Sequence, residues 1–252
     1  MSGVALAALV GLIVGSFLNV CIYRLSRKES VVWPGSRCVS CSRSLSWFEN
    51  IPIASWLTLR GRCRTCMAPI GVMHPAVEVT TAILFSGGAA LYGWQPLLLV
   101  RLGFSCLLVV LFVVDLRHRI LPDAVTLPGI VVGLGVSIVL PPGLRDALLG
   151  ASLGGGMLWA ISESYFRIRG REGVGFGDVK MLAMVGAFLG WQLMLLTLFL
   201  ASLVGSLVGL GLILARRGGM QSALPFGTFL AAGALTAAVV GDRLVGWYVS
   251  LY

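Results

Sequence analysis

Ten acidic residues are spread over a chain of 252, and few of them stand where a carboxylate is costly. Asp146, Glu163, Glu172 and Asp242 fall at the ends of apolar runs or in loops, and Glu29 and Glu49 lie in a polar segment. A solvated carboxylate is ordinary at the first four. Glu78, Asp115, Asp123 and Asp178 remain. Asp115 closes the run LLVVLFVVD. Asp178 opens an apolar run so short that the aspartate itself is drawn into the membrane edge. Carboxylates at such a depth are functional candidates, because burying them is expensive. Two of them close together cannot both ionise easily, so they share a proton. One then deprotonates a water while the other protonates the departing group, which is aspartic-protease chemistry. Asp115 and Asp178 are the expected pair, with acid and base roles belonging to the pair as a unit. Asp123, in ILPD before the next apolar run, competes with Asp115 and also suits a helix N-cap.

Four cysteines form a second constellation. CVSC (Cys38, Cys41) and CRTC (Cys63, Cys66) are Cys-x-x-Cys pairs with 21 residues between them, inside a polar segment from Arg24 to about His74. A segment of that size builds little core and commonly needs a staple. In a reducing compartment the spacing predicts two knuckles closing a four-thiolate structural zinc site rather than disulfides. Redox-active dithiols are the competing reading. Cys21 and Cys106 lie in apolar runs and read as packing residues. His74 and His118 lack metal-ligand spacing.

The stretch GVGFGDVKML (Gly173 to Leu182) invites a nucleotide-binding reading. No strand precedes it, and it lacks the Gly-Lys-Ser/Thr ending of a phosphate loop. Its glycines instead suggest room for a substrate backbone beside Asp178, or local unwinding. Lys180 either sets the charge on Asp178 or is one more basic residue at the membrane face.

These side chains need elements to position them, and the composition says which. At 58% hydrophobic and 12% charged, the chain cannot cover a soluble globule. Uncharged runs cover 1–23, 124–144, 181–215 and 218–241. Crossing the hydrocarbon takes about 20 helical residues, so the 181–215 run divides near Gly190 and the 79–114 stretch near Gly93. The expectation is an all-α polytopic membrane protein with about eight spans: 3–23, 76–92, 97–115, 124–141, 146–163, 177–190, 192–215 and 225–247. Three domains follow: the first helix (1–23), a zinc-stapled loop (24–75) and a seven-helix core (76–252). With the N-terminus outside, sixteen of the nineteen basic residues fall on the cytoplasmic side, as basic residues prefer. Arg171, Arg216 and Arg217 are among them, and Arg101, Arg145 and Arg243 are the exceptions. The net charge of +9 is then a matter of topology and anionic lipid, not of nucleic acid.

Six stretches in order now resemble the type IV prepilin peptidases. They are GSFLNVCIYRL (15–25), WFENIPIASWLTLRGRCRTC (47–66), HPAVE (74–78), DLRHRILPD (115–123), GVGFGDVKMLAMVGAFLGW (173–191) and LPFGTFLAAG (224–233). The resemblance implies that Asp115 and Asp178 are the catalytic dyad and that Cys38, Cys41, Cys63 and Cys66 hold zinc. It implies a prepilin or pseudopilin substrate held in a bacterial inner membrane and cut on the cytoplasmic side. It also implies methylation of the new N-terminus from S-adenosylmethionine, with no residue assignable to that cofactor. Relatives lacking the cysteine loop are peptidases only, so the loop argues for both activities. His74 stands where tyrosine is more usual, and Thr228 where a second proline is. Neither is expected to touch the dyad. The competing classes are a peptidase without methyl transfer, an ion-coupled transporter and a membrane scaffold.

Overall fold

The computed structural model describes residues 2–170, 173–215 and 224–250, and among them all regular elements beyond isolated bridges are helical. Arg171, Glu172, Arg216 and Arg217 lie outside the described residues. The helices are α1 (Ser2–Leu25), α2 (Ala54–Thr58), α3 (Met73–Tyr92), α4 (Pro96–His118), α5 (Asp123–Val136), α6 (Leu144–Arg169), α7 (Phe176–Leu214) and α8 (Phe226–Val249). By length and composition α1, α4, α7 and the 226–247 part of α8 could each cross a membrane.

The breaks have local causes. Helix α3 stops where Gly93 turns to φ 64°, and α4 begins on Pro96, a residue suited to a first helical position. Helix α7 counts 39 residues, about 58 Å if straight, which is roughly twice the hydrocarbon thickness. It is interrupted at Gly190, whose φ of 78° and ψ of 174° lie outside any helix and suit only glycine. The fourth expected span is shorter than predicted: α5 ends at Val136. Ser137 there donates its hydroxyl to Ala187 O at 3.1 Å, and Pro141 and Pro142 follow, neither with an N–H to extend the ladder.

The chain divides into two compact units, residues 1–110 and 111–252, with α4 contributing to each. In the first, α1 packs along α3. A Cβ at Gly11 or Gly15 would lie 2.7 Å from the Ala82 or Glu78 Cα, so the glycines set how closely the two backbones run. Ala7, Phe85, Ala89 and Leu98 form a buried cluster, with Cys106 against it, as a packing cysteine should be. Arg24 is buried and donates to the carbonyls of Ser30, Pro34 and Gly35, which pins the start of the polar loop to the end of α1. In the second unit α7 is central, packed by α5, α6 and α8. Met181, Leu182, Met184, Val185 and Met194 are completely enclosed, which accounts for its near-continuous apolar sequence.

Candidate active site and metal centre

Within the second unit three helix ends converge. The last turns of α4 carry Asp115, the first turn of α7 carries Asp178, and the first turn of α8 carries Gly227 and Thr228. Asp115 is 5% exposed and Asp178 9%. The two carboxyl groups lie near enough for charge on Asp115 to act on Asp178. Leu121 wedges between the converging ends: a Cβ at Gly177 would sit 2.9 Å from its Cβ, and one at Gly227 would sit 2.9 Å from its Cδ1. The same Cβ at Gly227 would stand 3.1 Å from Asp115 Cγ. Arg119, one turn past Asp115, places a positive charge within electrostatic reach of it.

The Asp115 carboxylate is held from α8. The Thr228 backbone N–H donates to Asp115 Oδ2 at 2.6 Å, and the Thr228 hydroxyl donates to the same oxygen at 2.9 Å. Thr228 is 5% exposed. The sequence reading had this residue clear of the dyad, and the structure overturns that. The first turn of a helix has N–H groups without intrahelical acceptors, and Asp115 is buried where that turn begins. No sequence signal couples two residues 113 positions apart.

Asp123 is neither buried nor a cap. It is the first residue of α5, Pro122 occupies the cap position, and no side-chain cap bond forms there. Its carboxylate, 58% exposed, pairs with Lys180. Lys180 also lies over the Phe176 ring, 5.0 Å from its centroid. Its partner is therefore Asp123 rather than Asp178. Two of the three glycines in the 173–178 stretch are packed by the chain's own side chains. A Cβ at Gly173 would lie 2.7 Å from the Tyr165 ring, and the space at Gly177 is filled by Leu121. At Gly175, by contrast, a Cβ would meet only Asp178 Oδ2, at 3.3 Å.

The four cysteines meet in the first unit. All four Sγ atoms lie within 4.8 Å of one another, and Cys38 Sγ is 3.7 Å from Cys66 Sγ. Four thiolates about 2.3 Å from a central zinc would stand roughly 3.8 Å apart, so the donor set fits that ion. The two halves are built alike. Cys38 N–H donates to Arg43 O and Ser42 N–H to Cys38 O; Cys63 N–H donates to Ala68 O and Met67 N–H to Cys63 O. Ser42 and Met67, each just after the second cysteine, have φ of 58° and 57°. Bridges Arg37–Ser44 and Arg62–Pro69 close the two turns. Backbone N–H groups of Cys66 and Thr65 lower the Cys63 thiol to about 6, the knuckle's own device for favouring a thiolate. Cys66 accepts from the Ala68 N–H, yet burial and the other three sulfurs push it up to about 11. The four sulfurs are thus placed where they could hold a metal ion.

Around the cysteines, Arg43 pairs with buried Glu49 at 2.6 Å, and Ser46 N–H donates to the same carboxylate. Arg43 holds the Glu49 carboxyl below its usual range. Glu78, the remaining acidic candidate, is buried on α3 and accepts the Ile53 N–H at 2.8 Å, tying the loop to that helix.

Comparison with known proteins gives two family matches. The bacterial peptidase A24 N-terminal domain matches residues 9–92, and the type IV leader peptidase family matches residues 102–210. A prepilin leader peptidase/N-methyltransferase of Pseudomonas putida is 38% identical over 96% of this chain and 92% of its own length. One from Aeromonas hydrophila is 38% identical over 98% and 93%. A third, from Myxococcus xanthus strain DK1622, is 43% identical over 82% and 62%. No solved structure matches the chain.

Proposed function

Since the chain belongs to the type IV leader peptidase family, we propose that it is an intramembrane aspartic endopeptidase that removes the leader peptide of prepilins or pseudopilins and then methylates the new N-terminus. The observation that carries the reading is the burial of two carboxyls from separate helices, Asp115 and Asp178, within electrostatic reach of each other. In this reading the pair shares one proton. Its ionised member takes a proton from water as the water oxygen bonds to the scissile carbonyl carbon. A proton passes to the leaving nitrogen as the C–N bond breaks, and the pair returns to its starting state. Leu121 packs where the three helix ends converge, and the burial of both carboxyls would keep bulk water from them.

The loop cysteines, Cys38, Cys41, Cys63 and Cys66, would hold a structural zinc that staples residues 24–75, with no part in the chemistry. S-adenosylmethionine would supply the methyl group. The eight-span reading, with the N-terminus outside and loop and dyad cytoplasmic in a bacterial inner membrane, rests on the helix bounds, the break at Gly190 and the basic residues. The first helix, the stapled loop and the 76–252 core are the corresponding divisions.

The test is cleavage of a prepilin substrate in proteoliposomes by Asp115→Asn and Asp178→Asn, alongside a labelled methyl donor. Both variants should lose cleavage by about four orders of magnitude, in line with removal of a catalytic group elsewhere. Normal cutting by either would exclude that residue from the dyad. Label transfer to pre-cleaved substrate by the same variants separates methylation from proteolysis. Its absence in the unaltered protein would leave a peptidase only.

A further inference from the structure

The two bonds from Thr228 say more than that Asp115 is buried. Both end on one oxygen, Oδ2, and both come from one residue in the first turn of α8. A carboxyl group has two oxygens that rotation about its Cβ–Cγ bond exchanges. Engaging one of them twice removes that freedom and leaves Oδ1 for the water and the shared proton. We propose that Thr228 is the positioning residue of the dyad, fixing which oxygen of Asp115 reacts; this rests on the reading of Asp115 and Asp178 as the cleaving pair. An oxygen that accepts an N–H at 2.6 Å and a hydroxyl at 2.9 Å is held as an acceptor, so the proton exchanged with Asp178 is carried on Oδ1.

A proline at this position has no N–H and no hydroxyl and would make neither bond. The clamp is thus a property of this chain's threonine. Gly227 completes it. With no side chain there, α8 approaches until a Cβ would stand 3.1 Å from Asp115 Oδ2, so the oxygen is backed by main chain on the side where the donors lie. The remaining charged neighbours do not compete for Oδ2: Arg119 acts through space from just beyond the end of α4, and Lys180 is taken by Asp123.

The experiment compares Thr228→Val with Thr228→Ser in proteoliposomes, measuring kcat and KM for prepilin cleavage, with thermal unfolding in detergent to check the fold. Valine keeps the shape and the N–H but loses the hydroxyl donor; serine keeps both. The expected result is a kcat roughly tenfold lower for Thr228→Val with KM unchanged, the size of one hydrogen bond to a charged group. Thr228→Ser should stay within about threefold of the unaltered protein. Equal kcat for valine and the unaltered chain, an effect confined to KM, or a serine variant as impaired as the valine one would overturn the proposal. Asp115→Asn and Asp178→Asn run in parallel keep the two levels apart. If both are inactive while Thr228→Val cuts normally, only the positioning role falls. If Asp115→Asn cuts normally, the dyad reading falls and the positioning role with it.

Discussion

Adding one carbon to Gly227 should slow the enzyme by crowding Asp115 while removing no reacting group. A Cβ at that position would lie 2.9 Å from Leu121 Cδ1 and 3.1 Å from both Asp115 Cγ and Oδ2. Carbon atoms rest at about 3.5–4.0 Å, so the shortfall is roughly 0.6 Å against Leu121 and 0.4 Å against the carboxyl carbon. Leu121 meets the new carbon with the free end of its side chain and can rotate away. Asp115 cannot, because Thr228 holds its Oδ2 at 2.6 Å and 2.9 Å. Either the carboxyl or the first turn of α8 must therefore shift by close to half an ångström. Misplacement by 1 Å can cost about a hundredfold, so Gly227→Ala should lower kcat roughly tenfold. Overpacking should cost about 1–3 kcal/mol of stability. The assay is cleavage of a prepilin peptide in proteoliposomes, with a thermal melt on the same preparation. Gly135→Ala on α5, whose Cβ would meet nothing within 4 Å, is the control and should match the unaltered kcat. A Gly227→Ala enzyme with undiminished kcat and an intact melt would refute the reasoning, since it would mean that the carboxyl so crowded is not the one that reacts.

Other expected outcomes are more direct. Asp123→Ala removes only a half-exposed ion pair with Lys180, worth about 0–1 kcal/mol, and should leave cleavage within about threefold; abolished cleavage would make Asp123 the dyad partner in place of Asp115. Cys38→Ser should reduce zinc in purified protein to well below one ion per chain by elemental analysis, and equal zinc in both preparations would rule out the four-thiolate site. Gly150→Ala should unfold the second unit at markedly lower temperature, because its Cβ would meet Gly186 O at 2.6 Å and Gly190 C at 2.8 Å, backbone atoms that cannot swing aside. Gly190→Ala should cost about 1 kcal/mol or more in the same melt, through a φ of 78° that L residues resist.

Much of the architecture was legible because it rests on local rules. The length of an uncharged run, a Gly-Trp interruption and a Pro at a helix start place α1, α3, α4 and the break in α7 within a few residues of where they stand. The cysteine pairs were legible for the same reason, since each knuckle is a turn of a few residues and only the meeting of the two is long-range. What the sequence concealed depends on tertiary approach. Asp123 looked like a cap because caps are local, but Lys180, 57 positions on, draws its carboxylate away. Of the glycines before Asp178, spacing could not reveal that Gly173 and Gly177 are packed by Tyr165 and Leu121 while Gly175 is not. Thr228 looked peripheral because a departure from a motif carries no hint of which atom it will touch.

The clamp on Asp115 also has a consequence in time. Its donor residue lies 113 positions later in the chain, on α8. At roughly 5–20 residues per second a ribosome needs about 6–23 s to reach it. Asp115 exists throughout that interval and Asp178 only for its later part, while Asp115 Oδ2 is still without its donors from α8. If the proposed clamp is what readies Asp115, a nascent chain stalled before Pro225 should leave neighbouring substrates uncut.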